Sequence, residues 1–96
     1  MIRHTVTIKL KHLKGSKEEA TFLKAAAELK AIPGVKKFEI LKQISAKCDY
    51  DYGLSMEFDT LEEYETYNKH PQHTAFVKTY WVANVDKFLE LDYEVL

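Results

Sequence analysis

The sequence has little of several features that would otherwise restrict its class. Cys48 is the one cysteine among 96 residues, so no disulfide can form within the chain and no cysteine-based metal motif is present. This composition leads us to expect a reducing compartment, with the cytoplasm as the default location. Long hydrophobic runs are also missing, since Arg3, His4 and Lys9 interrupt the first apolar residues. We therefore expect no membrane partner.

An excess of one charge is missing as well. The chain has 14 Lys and Arg against 15 Asp and Glu, and no run of one sign is long enough to follow a phosphate backbone. Nucleic acid is therefore not an expected partner. Apolar residues make up 46% of the chain, which is enough to build one core at this length. We predict a single domain over residues 1–96.

Four segments alternate between two kinds of side chain with a period of two, which is typical of half-buried β-strands. They cover residues 2–10, about 35–44, 48–58 and 85–95. In the first and third segments the inward positions are Ile2, His4, Val6, Ile8, Leu10, Cys48, Tyr50, Tyr52, Leu54, Met56 and Phe58. In the fourth segment the apolar positions are Val85, Leu89, Leu91, Tyr93 and Val95.

Helices are predicted between these strands by capping signals. Ser16 and Glu19, and later Thr60 and Glu63, have capping-box spacing and open two helices. Pro71 stops the second of these near His70 and starts a further helix that runs to about residue 83. The element order is then βαββααβ, which predicts an α+β, ferredoxin-like fold with a four-stranded antiparallel sheet and all helices on one face. We expect the apolar side of every strand to meet the helices, so the outer face is polar and periodicity alone is compatible with a monomer.

The order and spacing of several motifs resemble the stress-responsive dimeric α/β-barrel family. The motifs are Ile2-Arg3-His4, Tyr50-Asp51-Tyr52-Gly53-Leu54 continuing to Met56-Glu57-Phe58-Asp59, His70-Pro71-x-His73-x-x-Phe76, and the ending Leu91-Asp92-Tyr93-Glu94-Val95. The resemblance implies a homodimer whose two sheets pack face to face into a barrel. It also implies a separate pocket in each subunit, between sheet and helices.

The same resemblance implies a range of functions, because the family includes stress-associated proteins with no assigned reaction and cofactor-free cyclases. Tyr67 and His73 match the catalytic pair of the cyclases, and His4 matches a histidine that supports their pocket. In an aldol cyclisation, a neutral His73 imidazole would remove a proton next to a ketone while the Tyr67 hydroxyl donates to the carbonyl oxygen. No cofactor is expected. The position of His73 in the first turn of a helix favours the neutral imidazole.

Each of these residues also has a structural interpretation. His4 could be a hydrogen-bonded core histidine, and His73 could cap or pack the helix start. Five further side chains could line a pocket for a small aromatic or apolar ligand, or could simply be core: Tyr50, Tyr52, Val77, Tyr80 and Trp81. His4, His70 and His73 could be read as zinc ligands, but their spacing is unlike that of strong metal motifs, and we predict no metal site.

Three functions follow from this reasoning. The first is a homodimeric small-molecule-binding protein that catalyses a cyclisation, elimination or isomerisation with His73, Tyr67 and His4. The second is a non-catalytic stress-related binding or structural protein. The third is a cofactor-free monooxygenase, because such enzymes share the dimeric barrel but match the His-Pro-x-His segment less well.

Overall fold

The computed structural model describes all residues, 1–96, as one sheet covered on one face by helices. The elements in chain order are β1 (Ile2–Leu10), α1 (Lys17–Ala27) with a 3-10 turn (Glu28–Ala31), β2 (Lys36–Lys42), β3 (Tyr52–Phe58), α2 (Leu61–Lys69), α3 (Pro71–Phe76), which continues through a π-helical segment (Val77–Trp81) and a last turn (Val82–Asn84), and β4 (Val85–Tyr93). The strand order is β2-β3-β1-β4, and every pair is antiparallel. The predicted ferredoxin-like fold is confirmed.

The core lies between the helices and the even-numbered face of β1. Val6, Ile8 and Leu10 are buried on that face and pack with Phe22 and Leu29, which project from the first helical segment. The inward side chains of β1 and the apolar side of α1 that carries Phe22 therefore form one core from its two sides. None of the helices combines the length and the apolar composition that a membrane-spanning segment requires.

The helix starts follow the capping signals. The Ser16 hydroxyl accepts the Glu19 N–H at 3.2 Å, and the Thr60 hydroxyl accepts the Glu63 N–H at 3.1 Å. In α3, His70 is the cap, since its Nδ1 accepts the N–H of Gln72 at 3.1 Å. Side-chain acceptors at these positions satisfy backbone donors that have no partner within the helix.

The third strand is shorter than predicted. It begins at Tyr52, and residues 46–47 form a turn, so Cys48 and Tyr50 lie outside the sheet. Asp51 is buried in their place. Its backbone N–H donates to the Ile8 carbonyl at 2.8 Å, and its carbonyl accepts the Gln43 N–H at 3.0 Å. These bonds hold the chain just before β3 begins. The alternation of residues 48–51 therefore does not correspond to two faces of a strand.

The fourth strand turns its apolar side away from the helices, contrary to the prediction. Val85 lies opposite Leu10 and Lys87 lies opposite Lys9, so Asp86 is an extra residue in β4. Such a β-bulge shifts the alternation by one position and exchanges the two faces. Beyond it, the residues that share the helix side of β1 are Phe88, Glu90 and Asp92, which pair with Ile8, Val6 and His4.

The outer face of the sheet is consequently less polar than the sequence predicted. Leu89, Leu91 and Tyr93 are 47%, 42% and 52% exposed there, and β2 adds Leu41 at 46%. Leu89 and Leu91 lie opposite Thr7 and Thr5 of β1. An exposed apolar surface of this kind is typical of a protein–protein contact.

Candidate functional site

A cavity of about 150 Å³ lies between the helix side of the sheet and the helices α2 and α3 with the π-helical segment that continues α3. Its lining is mostly apolar, and it brings together five of the residues predicted for a site. These are His4, Tyr67, His73, Val77 and Trp81. A largely apolar cavity with a few converging polar groups is the usual form of a small-molecule site.

Three residues predicted to line this cavity lie elsewhere. The Tyr52 hydroxyl donates to Glu19 Oε1 at 2.7 Å, and this bond together with burial raises the pKa of Tyr52 to about 12. Tyr80 stacks on the outer side of Phe76, with ring centroids 5.9 Å apart. Tyr50 lies before β3, with the Lys87 ammonium 4.9 Å from its ring. The alternation predicts Tyr50 and Tyr52 on one strand face, and helical spacing predicts Tyr80 on the His73 side of the last helix. In the structure Tyr50 precedes β3, and none of the three lines the cavity.

His4 is held by a carboxylate that the sequence reasoning did not select. Its Nδ1–H donates to Asp92 Oδ1 at 2.6 Å, and the Tyr64 hydroxyl donates to Asp92 Oδ2 at 2.8 Å. His4 is only 5% exposed, yet Nε2 has no protein partner. His4 lines the cavity, and with Nδ1 held by Asp92 the neutral imidazole has its free lone pair on Nε2.

His73 is fixed in the same tautomer by the backbone. Its Nδ1–H donates to the Asn68 carbonyl at 3.2 Å, which leaves Nε2 as an acceptor. Burial lowers the pKa of His73 below its ordinary value of 6.5. The main cause is therefore desolvation, and not the helix terminus alone as the sequence suggested. His73 is neutral near pH 7 and can accept a proton.

Tyr67 lies between the two imidazoles. Its ring centroid is 4.5 Å from that of His73 and 6.2 Å from that of His4. Burial raises the pKa of Tyr67, with the charge of Glu90 as a second cause. The hydroxyl therefore keeps its proton, and no protein group accepts it. The cavity thus contains one free hydroxyl donor, Tyr67, and the free acceptor His73 Nε2, with the imidazole of His4 beside them.

His70 does not join these residues. Its Nδ1 is used to cap α3, and it does not line the cavity. A zinc site that combined the three histidines would need His70 to move to the cavity that His4 and His73 line.

The alternation of β4 predicts that its charged residues face solvent, so it does not identify Asp92 or Glu90 as site residues. Asp92 and Glu90 are on the helix side, and Asp92 lies directly opposite His4. The signal that could have found Asp92 is His4 itself, since a histidine on a buried strand face needs a partner on a neighbouring strand.

Removing the Asp92 carboxylate is expected to destabilise the fold. In Asp92→Ala, the His4 N–H and the Tyr64 hydroxyl lose their shared acceptor, at a cost of about 1–3 kcal/mol in the free energy of unfolding. Urea denaturation would measure it. Glu94→Ala is the control, because Glu94 is an exposed carboxylate on the same segment. Equal stability of the two variants would contradict this account of the Asp92 bonds.

Comparison with known proteins identifies the family of this chain. A sequence model of the stress responsive A/B barrel domain matches residues 2–95. A Dabb family protein with a ferredoxin-like fold from Mesorhizobium loti is 54% identical, with a TM-score of 0.97 over 99% of this chain and 96% of that one. Comparison with curated protein sequences gives no match.

Two more distant structures share the fold. A dimeric protein of unknown function from Bacteroides fragilis is 24% identical, with a TM-score of 0.77 over 98% of this chain and 95% of that one. The hydroxynitrile lyase of Passiflora edulis is 17% identical, with a TM-score of 0.83 over 99% of this chain and 93% of that one. The match over residues 2–95 and the 54% identity lead to one conclusion: the chain belongs to the family of stress-responsive α/β-barrel domains.

Proposed function

We propose that this protein is a homodimer in which each subunit catalyses a cofactor-free proton transfer on a small carbonyl or hydroxy compound. The observation that supports this most directly is the pair of imidazoles whose Nδ1–H groups are both occupied, by Asp92 and by the Asn68 carbonyl. His73 Nε2 is therefore an acceptor, and His4 Nε2 is one in the neutral imidazole. The Tyr67 hydroxyl, which has no protein partner, lies on the same cavity.

His73 acts as the base in this proposal. Its Nε2 takes a proton from the carbon next to a carbonyl group, and the electron pair of the broken C–H bond moves onto the carbonyl oxygen. The Tyr67 hydroxyl donates a hydrogen bond to that oxygen as its negative charge develops. The imidazolium then returns the proton to a different carbon, which gives an isomerisation, or to the new oxygen after an aldol attack.

His4 holds the substrate in this scheme. Its Nε2 accepts a hydrogen bond from a substrate hydroxyl or enol, while Asp92 keeps the ring in orientation through Nδ1. With a cyanohydrin, removal of the hydroxyl proton would release cyanide and leave an aldehyde. This lyase reaction is supported only by analogy with the Passiflora edulis enzyme, which shares the fold at 17% identity.

The proposed reaction can be tested without its biological substrate. In deuterated water, acetophenone should exchange the hydrogens of its methyl group faster with the protein than without it, as followed by proton NMR. Mandelonitrile cleavage, measured by the absorbance of benzaldehyde, tests the lyase reaction in parallel. Absence of both activities would favour the alternative, a non-catalytic stress-related binding or structural protein.

The homodimer is supported by the outer face of the sheet. Leu41, Leu89, Leu91 and Tyr93 are exposed there, and the Bacteroides fragilis structure of the same fold is described as dimeric. Two such faces packed together would bury these side chains. A cytoplasmic location is also proposed, supported by the unpaired Cys48 thiol.

A charge on this face is expected to separate the subunits. Leu91→Lys would bury one unpaired ammonium per copy, and we expect the dimer to dissociate at least about a hundredfold more readily. Analytical ultracentrifugation measures the change. Leu61→Lys, at an exposed leucine of α2 on the helix side, is the control and should stay dimeric. A dimeric Leu91→Lys variant would place the contact elsewhere.

A further inference from the structure

Two exposed residues that line the cavity, Phe88 and Glu90, lie on the helix side of β4, which is an edge strand of the sheet. Phe88 is 54% exposed there, and its ring packs edge-on against half-buried Trp81 with centroids 5.5 Å apart. Glu90, the next residue on that side, is exposed and also lines the cavity. These three side chains, Trp81, Phe88 and Glu90, form the mouth.

The mouth and cavity carry one uncompensated charge. Glu90 makes no ion pair and no side-chain hydrogen bond, and no lysine or arginine lines the cavity. His73 is neutral because of its burial, so it does not balance the carboxylate. Asp92 does not line the cavity and is engaged by His4 and Tyr64, so Glu90 is the free carboxylate of this site. A partly enclosed site with a charge of one sign repels ligands of that sign.

The dimensions of the cavity restrict the ligand further. An engineered protein cavity of about 150 Å³ holds benzene, which sets the scale for the present volume. A ligand of about one aromatic ring therefore fits inside. Its remaining substituent would lie at the mouth, between the two aromatic rings and the Glu90 carboxylate. Aromatic faces beside a carboxylate are favourable surroundings for an organic cation.

We propose that Glu90 makes this site selective for charge: it admits small neutral or cationic compounds of about one ring and rejects carboxylates and phosphates. This inference rests on the proposed function, since it names the substrate class of the same cavity. Glu90 is a specificity-determining residue in this scheme. It does not take part in the proton transfer.

Three probes of equal size and different charge test the inference: benzyl alcohol, benzylammonium and benzoate. Trp81 is the only tryptophan and lines the cavity, so its fluorescence reports binding at this site in the intact dimer. We expect benzoate to bind at least about tenfold more weakly than benzyl alcohol. In Glu90→Gln, benzoate should bind about three- to tenfold more tightly and benzylammonium weaker by a similar factor. Benzyl alcohol should change by less than about twofold, because it carries no charge.

Glu94→Gln is the matched control, since it removes a carboxylate that does not line the cavity. It should leave the three affinities unchanged. Equal binding of benzoate and benzyl alcohol, or a benzoate affinity that Glu90→Gln does not alter, would overturn the inference. If acetophenone exchange is still catalysed in either case, the proposed function stands and only the inference about Glu90 is wrong. If none of the probes binds and no exchange occurs, both are wrong.

Discussion

Replacing His73 by alanine is expected to reduce proton exchange by about 10²–10⁴-fold, the usual contribution of a positioned general base. The imidazole is the base in the proposed reaction, and alanine leaves only water in its place. The loss is checked by the rate of acetophenone exchange, measured by NMR with enough protein to bind all of the ketone. His12→Ala is the control, because His12 bonds Asn84 at 2.7 Å and lies outside the cavity. A His73→Ala variant with unchanged turnover would remove the mechanism.

The pH dependence gives this prediction a second readout. Burial lowers the pKa of His73 from 6.5, so its active neutral form persists below that pH. The rate should therefore stay level on acidification past pH 6.5 and fall only at a lower pH. An unfolded His73 binds its proton more readily than the folded one, so this residue's contribution to stability is complete above pH 6.5 and is lost as pH falls through the folded pKa. His73→Ala should lose less stability on acidification than the unmodified protein.

Replacing Tyr67 by phenylalanine is expected to reduce the exchange rate by about 10²–10³-fold, which is typical of losing one donor to a developing oxyanion. The Tyr67 hydroxyl has no protein acceptor, so phenylalanine leaves no buried group unpaired. The ring would still pack on Phe58, whose centroid lies 5.1 Å away. The fold should consequently keep its stability, and thermal unfolding would verify it. The activity loss would then reflect chemistry and not unfolding.

Tyr80→Phe separates the Tyr67 result from a general effect of removing a hydroxyl. Tyr80 belongs to the same helical region but lies on the outer side of Phe76. Its loss should leave the exchange rate unchanged. A Tyr67→Phe variant that binds benzyl alcohol normally and also keeps its exchange rate would show that another group stabilises the oxyanion.

Local signals predicted much of the architecture. The Ser16 and Thr60 caps, Pro71 and the alternation of β1 each act over a few residues, and the structure has the helices and strand where these signals predict them. The placement of His4 on the buried face followed from the same alternation. Matching motifs then supplied the family and the pairing of Tyr67 with His73, which spacing alone does not specify.

The sequence by itself determined the element order, the helix starts and the inward direction of His4, because caps and periodicity are properties of neighbouring residues. Only the tertiary structure decided which side of β4 meets the helices, because one bulge residue, Asp86, exchanges the faces through its pairing with β1. That single shift brings Asp92 to His4 and Glu90 to the cavity, and it turns Leu89 and Leu91 outward. Register between distant strands is a long-range property, which no local pattern in β4 could reveal.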